Sequence, residues 1–463
     1  MSWKTESLHK LFNPESIAVI GASNKPDRLG ALTLLSLKAF DGSIYPVNPR
    51  HSTIGDMKCY SSVTDIPDEV DLALICLGGP AVLSIVAECA KAQVRSSIIF
   101  AAGYKELGSQ GEEIQKRLKE IVDKAHIAVI GPNCLGAGNV NQQLNATFFP
   151  HPQVIKKGNV SLISQSGGVT GLMLYKAIDV NLGVAKFASV GNRVNIDFHD
   201  LIQYLREDPE TKSIGLFVEG TESAREMTDQ IALTTPEKPV IVYKVGKTPV
   251  AREAALSHTG SLAGKPELYS AAIKQSGGLE VESIMEMVDV AKVLSTIQII
   301  PKGNRVVVLT HTLGIALIAA QTLEENEAVL PMPSEKTIES IQGLLDLPIV
   351  VPIRNPIDLL AQGWSNPRIF ADAFKLILNE PQFDAVMIVF APNYQEDIGG
   401  GMPVTDIIDA TKQTKKPVIS VLSSPAVRPP SGVDQLEENG IPFFASPQRA
   451  ALALAKVLKI RKL

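Results

Sequence analysis

The chain has 463 residues, room for about three domains at roughly 150 residues each. Hydrophobic residues make up 45% and charged residues 20%, which is the balance of a globular protein with a buried core. A formal net charge of −5 argues against a nucleic-acid surface, and no apolar run is long enough to cross a bilayer.

The opening Met1-Ser2-Trp3-Lys4-Thr5-Glu6 lacks the basic-then-apolar profile of a signal peptide. Cys59, Cys76, Cys89 and Cys134 show no C-x-x-C metal spacing. Packed structural thiols in a reduced, cytoplasmic protein are therefore expected.

Residues 8–131 read as one α/β domain of Rossmann-like type. Ser16-Ile17-Ala18-Val19-Ile20 is a β-branched run ending in Gly21-Ala22-Ser23, and an apolar helical stretch follows over residues 29–40. Strand, glycine turn and helix open a nucleotide-binding unit. The G-x-G-x-x-G fingerprint is absent, so a dinucleotide is not implied. What remains is a tight turn at a helix start, where backbone N–H groups can meet a phosphate, with Lys25 and Arg28 able to add charge. A non-binding α/β turn fits the same residues.

Four more strands follow: residues 43–49, 70–76, 96–100 and 128–130. Each ends at a Gly, Pro or Asn turn. Nearly continuous apolar strands between helices imply a parallel sheet covered on both faces. Ligands of such sheets sit outside the carboxyl ends of the strands.

The remainder is an internal repeat, which sets domains at 132–298 and 299–463. Gly158-Asn159-Val160-Ser161-Leu162-Ile163-Ser164 is echoed by Gly303-Asn304-Arg305-Val306-Val307-Val308-Leu309-Thr310. Asn195-Ile196-Asp197 is echoed by Asn355-Pro356-Ile357-Asp358, and Lys238-Pro239-Val240-Ile241 by Lys416-Pro417-Val418-Ile419. Each copy alternates strands with helices, so each is expected to be a parallel α/β domain.

The two copies differ where chemistry would sit. The first carries Ser257-His258-Thr259-Gly260-Ser261 in a glycine-punctuated loop, and the second has no histidine there. The first also has Ser164-Gln165-Ser166-Gly167-Gly168 before a helix, where the second has the bulkier Thr310-His311-Thr312-Leu313-Gly314. We read His258 as a nucleophile that takes up a phosphoryl group. His311 is expected to be packed or solvated. The Ser-Gln-Ser-Gly-Gly segment is either an ordinary N-cap or an anion nest, because both use the same geometry. Glu219, at the carboxyl end of a strand over 214–218, is placed to bond one imidazole nitrogen and fix the tautomer. Asp197, Asp200 and Glu222 read as caps or surface charges.

These motifs, together with Gly131-Pro132-Asn133-Cys134-Leu135-Gly136, resemble the alpha subunits of the ADP-forming acyl-CoA synthetases, relatives of succinyl-CoA synthetase. The resemblance covers nearly the whole chain. It implies an N-terminal Rossmann-like CoA-binding domain followed by two flavodoxin-like parallel α/β domains. It also implies an acid–thiol ligase, acetate–CoA ligase (ADP-forming), with acetyl-CoA as the expected acyl-CoA. His258 would be the phosphorylated residue, Glu219 its carboxylate partner, and the amides of Ser166, Gly167 and Gly168 the phosphate cradle. CoA would lie on the turns bearing Gly21, Ala22, Ser23 and Lys25; Asn48, Pro49 and Arg50; Cys76, Leu77 and Pro80; and Ala102 and Gly103. Asn133 would lie near the thiol.

The same resemblance implies phosphate as a substrate, and Mg²⁺ with ADP or ATP held mainly on a partner. No ATP-grasp segment is found in this chain. A separate beta subunit with that fold is expected, in an α2β2 complex without nucleic acid or membrane. Two readings compete: a CoA-responsive binding protein without catalysis, and the alpha subunit of a succinate–CoA ligase.

Overall fold

A computed structural model describes residues 2–149, 154–251, 265–347, 351–391, 402–422 and 432–460. The chain divides into two compact units, Met1–Ala291 and Lys292–Leu463. Among the described residues no helix is long and apolar enough to cross a membrane.

The first unit opens with the helix Trp3–Phe12 and the strands β1 (Ser16–Ile20), β2 (Ser43–Val47), β3 (Thr53–Ile54), β4 (Met57–Lys58), β5 (Leu72–Ile75), β6 (Ser96–Ile99) and β7 (Ala128–Ile130). β3 and β4 form a small antiparallel hairpin that the sequence pattern did not suggest. The other five form a parallel sheet in the order β2-β1-β5-β6-β7. Pro46 sits in β2, at the sheet edge, where a missing N–H costs no ladder bond.

Alternate residues of these strands enter two separate apolar layers. Ile17, Val19, Leu72, Leu74, Ile98 and Ile130 join one, with Leu8, Leu11 and Phe12 of the first helix. Ala18, Ile20, Ala73, Ile75, Ile99 and Val129 join the other, with Val82 and Val86 of the helix Ala81–Lys91 and Leu118 and Val122 of the helix Ser109–Ala125. The period of two along a strand, with both faces apolar, is what a sheet covered on both sides requires.

A second sheet in the same unit contains β8 (Gly136–Asn139), β9 (Leu144–Thr147), β10 (Lys157–Ser164), β11 (Val184–Ser189), β12 (Ser213–Val218), β13 (Val240–Lys244) and β14 (Leu279–Glu280), in the order β14-β13-β12-β10-β11-β8-β9. Its first five are parallel. β8 and β9 extend it as an antiparallel pair, so this sheet is mixed where parallel strands alone were expected. Gly136-Ala137-Gly138-Asn139 has no strand propensity. It pairs because Gly138 leaves room for the Phe187 ring, which a Cβ would meet at 2.5 Å.

The second unit holds β15 (Val306–Thr310), β16 (Ile357–Asp358), β17 (Ala385–Phe390), β18 (Val418–Leu422) and β19 (Phe443–Phe444), ordered β16-β15-β17-β18-β19 and all parallel. Numbered within each copy, the five parallel strands of each of the three sheets run 2-1-3-4-5, the doubly wound order in which ligands bind at the carboxyl ends beside strands 1 and 3.

The sequence echoes have structural counterparts. Lys238 Nζ donates to Leu205 O (2.9 Å) and Asp208 O at the end of the helix Phe198–Glu207. Lys416 Nζ donates to Leu378 O (2.8 Å) and Glu380 O at the end of the helix Pro367–Leu378. A cation among terminal carbonyls satisfies acceptors that the helix leaves open. Asn195 and Asn355 are less alike: Asn195 lies in the loop before a helix, and Asn355 just precedes β16.

Gly30 carries a sharp packing constraint. A Cβ there would lie 2.1 Å from Gly21 O and 2.8 Å from Ala22 Cα, both backbone. Gly30→Ala is expected to lower stability by about 1–3 kcal/mol as the helix Leu29–Ser36 is pushed off the first turn. Urea unfolding checks this, and an unchanged midpoint would contradict it.

Candidate functional site

The expected CoA turns line up along one end of the first sheet. Gly21, at φ +87°, follows β1, and its amide donates to Val47 O at 2.9 Å. Asn48 Nδ2 donates to Ala22 O at 2.8 Å, and Asn48 Oδ1 accepts the Arg50 amide at 3.0 Å. Lys25, Pro49, Arg50, Leu77, Pro80 and Ala102 are exposed at this end, with Ser23 and Gly103 half-buried. A Cβ on Gly21 would meet Leu77 Cγ at 2.8 Å, so the turns after β1 and β5 touch.

Cys76 offers only its backbone. Its thiol is buried, donates weakly to Thr33 Oγ1 at 3.5 Å, and is pushed up to about 12 by burial. Burial likewise raises Cys89 and Cys134 to about 12. These are unreactive packing thiols, as expected.

The row of turns continues into the second sheet. Asn133, in a left-handed conformation at φ +58°, donates its amide to Ala101 O at 2.9 Å and its Nδ2 to Asn192 Oδ1 at 3.4 Å. Asn192 and Val194 amides return to Pro132 O (2.9 Å) and Gly131 O (3.0 Å). A Cβ on Gly191 would meet Pro132 O at 2.3 Å, so no side chain fits between these turns. Glu106 fastens the junction. It accepts from the Gly103 amide at 2.6 Å, the Tyr104 amide at 3.2 Å and Asn192 Nδ2 at 2.5 Å. Burial pushes its carboxyl up, but these donors outweigh it and hold it below the usual range.

Beyond the junction lies a cleft of about 650 Å³. It gathers Ala102 and Asn133 from the first sheet with Gln165, Ser166, Gly167, Gly168 and Glu219 from the second. Two edge-to-face aromatic pairs wall it: Phe100 with Phe148 at 5.5 Å, and Phe149 with Tyr175 at 5.6 Å. The volume and apolar lining suit a small-molecule ligand.

Ser166 caps the helix Gly167–Asp179, its Oγ accepting the Val169 amide at 3.5 Å. The Ser166 amide donates to Ser164 Oγ at 3.1 Å. Of the three amides expected to cradle a phosphate, Ser166's is therefore already engaged. Gly167 and Gly168 begin the helix, whose first amides have no intrahelical acceptor. The space beside Gly168 is open, with nothing within 4 Å of a Cβ built there.

Glu219 follows β12 at the cleft. Its amide and that of Gly220 both donate to Gln165 Oε1, each at 3.0 Å. Its carbonyl accepts Lys244 Nζ at 2.8 Å, and that ammonium lies 4.8 Å from the Tyr269 ring centroid. Gln165 is only 3% exposed, and its Nε2 finds no acceptor among the described residues. An unmet buried donor costs about 1–3 kcal/mol, so this one calls for an explanation. His258 lies outside the described residues.

An ion-pair cluster stands beside the cleft. Glu222 meets Arg193 at 3.1 Å and Lys105 at 3.4 Å, and Arg193 Nε meets Asp197 at 3.2 Å. Asp197 and Asp200 form a capping box on the helix Phe198–Glu207, in keeping with their reading as caps. Glu222 lies on the surface, its side chain 58% exposed, as read, but it is paired there with Arg193 and Lys105. Burial raises its carboxyl, but Lys105 and Arg193 together hold it down at about 2.

Gln165 lay inside a motif that the sequence singled out, but its amide had no distinguishing signal. Glu106, Asn192 and the aromatic walls had none, since their roles depend on contacts between distant turns. In the second unit His311 takes the position of Gln165. Its Nε2 accepts the Ala391 amide at 3.0 Å among Phe370 and Phe390, and burial lowers it to about 4. It is a packed, neutral imidazole, one of the two states expected for it.

Residues 15–139 match the CoA binding domain family, and residues 157–294 match the succinyl-CoA ligase like flavodoxin domain. The chain is 38% identical over 454 residues to the alpha subunit of acetate–CoA ligase [ADP-forming] II of Pyrococcus furiosus, covering 96% of each. It superimposes on the dinucleotide forming acetyl-coenzyme A synthetase 1 of Candidatus Korarchaeum cryptofilum, solved with phosphate and ADP, with a TM-score of 0.87. The two are 33% identical, over 97% of this chain and 96% of that one. A succinate–CoA ligase alpha subunit of Archaeoglobus fulgidus is 25% identical over 51% of this chain.

Because Glu222 is held at about 2 in the folded protein against an ordinary value of 4.5, its contribution to stability is complete above 4.5. It is lost as the pH falls through about 2. Glu222→Gln should therefore unfold at a lower temperature than the wild type at pH 7, and the gap should close as the pH drops from 4.5 towards about 2. A gap independent of pH over that interval would contradict the ion-pair account.

Proposed function

The chain belongs to the ADP-forming acetate–CoA ligases, matching their alpha subunits over nearly its whole length, and from that premise we propose how its residues divide the work. It is an acid–thiol ligase subunit, interconverting acyl-CoA, ADP and phosphate with carboxylate, ATP and CoA. The observation that carries the reading is the cleft, where Asn133 from the CoA-binding side meets Gly167, Gly168 and Glu219. The succinate-specific reading is weaker, because the match to that family stops at about half of this chain.

CoA lies along the turns at Gly21–Lys25, Asn48–Arg50, Cys76–Pro80 and Ala102–Gly103, with its thioester near Asn133. Only the backbone of Cys76 takes part. The aromatic walls of the cleft shield the acyl end from water. Phosphate sits at the start of the helix Gly167–Asp179, where free amides and the helix dipole favour an anion. A phosphate oxygen attacks the acyl carbonyl carbon, the C–S bond breaks, and CoA leaves as thiolate. One imidazole nitrogen of His258 then attacks the phosphorus of the acyl phosphate and releases the carboxylate. Glu219 holds the other nitrogen, which fixes the tautomer and stabilises the charge that develops.

The second transfer, from His258 to ADP, takes place on a separate beta subunit of ATP-grasp fold, in a cytoplasmic α2β2 assembly. Mg²⁺ accompanies the nucleotide there and neutralises its phosphates. Among the described residues of this chain, no group of three or more His, Cys, Asp or Glu side chains is placed to hold a metal.

Assayed with the beta subunit, His258→Ala should lose ATP formation by on the order of 10⁴-fold or more while keeping its unfolding temperature. Glu219→Gln should slow single-turnover phosphorylation of the chain by on the order of 10²- to 10⁴-fold. Normal turnover of the first variant would overturn the relay. An unchanged rate in the second would remove Glu219 from it.

A further inference from the structure

Gln165 has a polarity that hydrogen bonding fixes. Its Oε1 accepts two backbone amides, from Glu219 and Gly220, each at 3.0 Å. With the oxygen so committed, the side-chain amide cannot be flipped without breaking both bonds, and Nε2 is the atom left over. That nitrogen is buried and has no acceptor among the described residues. The residue lines the same cleft as Gly167 and Gly168, two positions before a helix of 13 residues. A helix start and an unsatisfied buried donor converge on one place, and both call for an acceptor, preferably an anion.

The second unit supplies an internal control. There His311 stands after β15 as Gln165 stands after β10, and His311 Nε2 accepts the Ala391 amide just as Gln165 Oε1 accepts that of Glu219. Tying the first strand to the turn after the third therefore needs only an acceptor. His311 Nδ1, which carries the proton when Nε2 accepts, is likewise a buried donor with no partner among the described residues, so what sets the first unit apart is the helix start at Gly167 and Gly168 in the cleft that Gln165 lines.

We propose that Gln165 Nε2 donates a hydrogen bond to an oxygen of the phosphoryl group bound at the start of the helix Gly167–Asp179, making Gln165 a catalytic residue as well as the anchor of Glu219. This rests on the relay proposed above. Gln165 takes no proton and forms no covalent bond. It holds the anion beside the carboxylate-bearing turn, so phosphate is positioned by the same side chain that positions Glu219. The donor serves phosphate as substrate and the phosphoryl group of the acyl phosphate alike, since both present anionic oxygens.

Two substitutions separate the roles. Gln165→Glu keeps an oxygen for the Glu219 and Gly220 amides but replaces the donor by a second acceptor. Gln165→Met removes both. Steady-state kinetics of the αβ complex in the ATP-forming direction would be measured with phosphate and acyl-CoA varied separately. Gln165→Glu should raise the KM for phosphate by about 10- to 100-fold, the scale of a hydrogen bond to a charged group, with the KM for acyl-CoA little changed. The defect should narrow as the pH is lowered and the new carboxyl, once protonated, regains a donor. Gln165→Met should show the phosphate defect without that pH dependence, and a lower kcat from the loosened Glu219 turn. A purely structural Gln165 predicts the reverse order: Gln165→Glu close to wild type in phosphate KM, and Gln165→Met impaired in kcat alone. That outcome overturns the inference while leaving the relay intact. A wild-type complex that forms no ATP from acyl-CoA would instead overturn the relay.

Discussion

The whole arrangement depends on one close backbone contact. The turn Gly131-Pro132-Asn133 lies directly on residues 191–194, with amide-to-carbonyl bonds from Asn192 to Pro132 (2.9 Å) and from Val194 to Gly131 (3.0 Å) and no room for a Cβ on Gly191. Each sheet of the first unit presents its strand ends as a ligand site, as doubly wound sheets do. Alone, those would be two sites on two sheets. The contact makes them one continuous row, from Asn48 and Ala22 through Leu77, Ala101 and Asn133 to Gln165 and Glu219. Under the proposed relay, a thioester held by the first sheet would lie beside an anion held by the second. Glu106, accepting from both sides of the joint, makes it costly to open.

The second unit shows what the same design looks like without that chemistry. It repeats the sheet order and the lysine that closes a helix end, and it keeps the tie between the first strand and the turn after the third. Where the first unit has Gln165, Ser166, Gly167 and Gly168, it has a half-buried histidine among aromatic rings, then Thr312, Leu313 and Gly314. Burial holds that imidazole neutral, which suits packing. Small residues at a helix start admit an anion, whereas the second unit places Leu313, 42% exposed, where the first has Gly167.

Much of this was legible in the residues. Strong β-branched runs such as Ser16–Ile20 and Ile214–Val218 announced their strands, and the glycine and asparagine turns expected after them stand at the strand ends. The echo of Lys238-Pro239 in Lys416-Pro417 revealed the repeat. The antiparallel pair β8 and β9 was not legible, because Gly136-Ala137-Gly138-Asn139 forms a strand only through its neighbours. The ion pairs of Glu222 and the bond from Asn192 to Glu106 were also hidden, since these partners lie 29 to 117 residues away in sequence. The family resemblance had implied that Ser166 would lend its amide to an anion; in the structure that amide donates to Ser164 Oγ. Local pattern identifies the platform, while the chemistry on it is fixed by contacts between distant turns.

The most direct test is mass spectrometry of the assembled complex, quenched in base during turnover with acyl-CoA, phosphate and ADP. A single phosphoryl group on the His258 imidazole is the predicted result. Sustained ATP formation with that ring never modified would contradict the phosphohistidine relay.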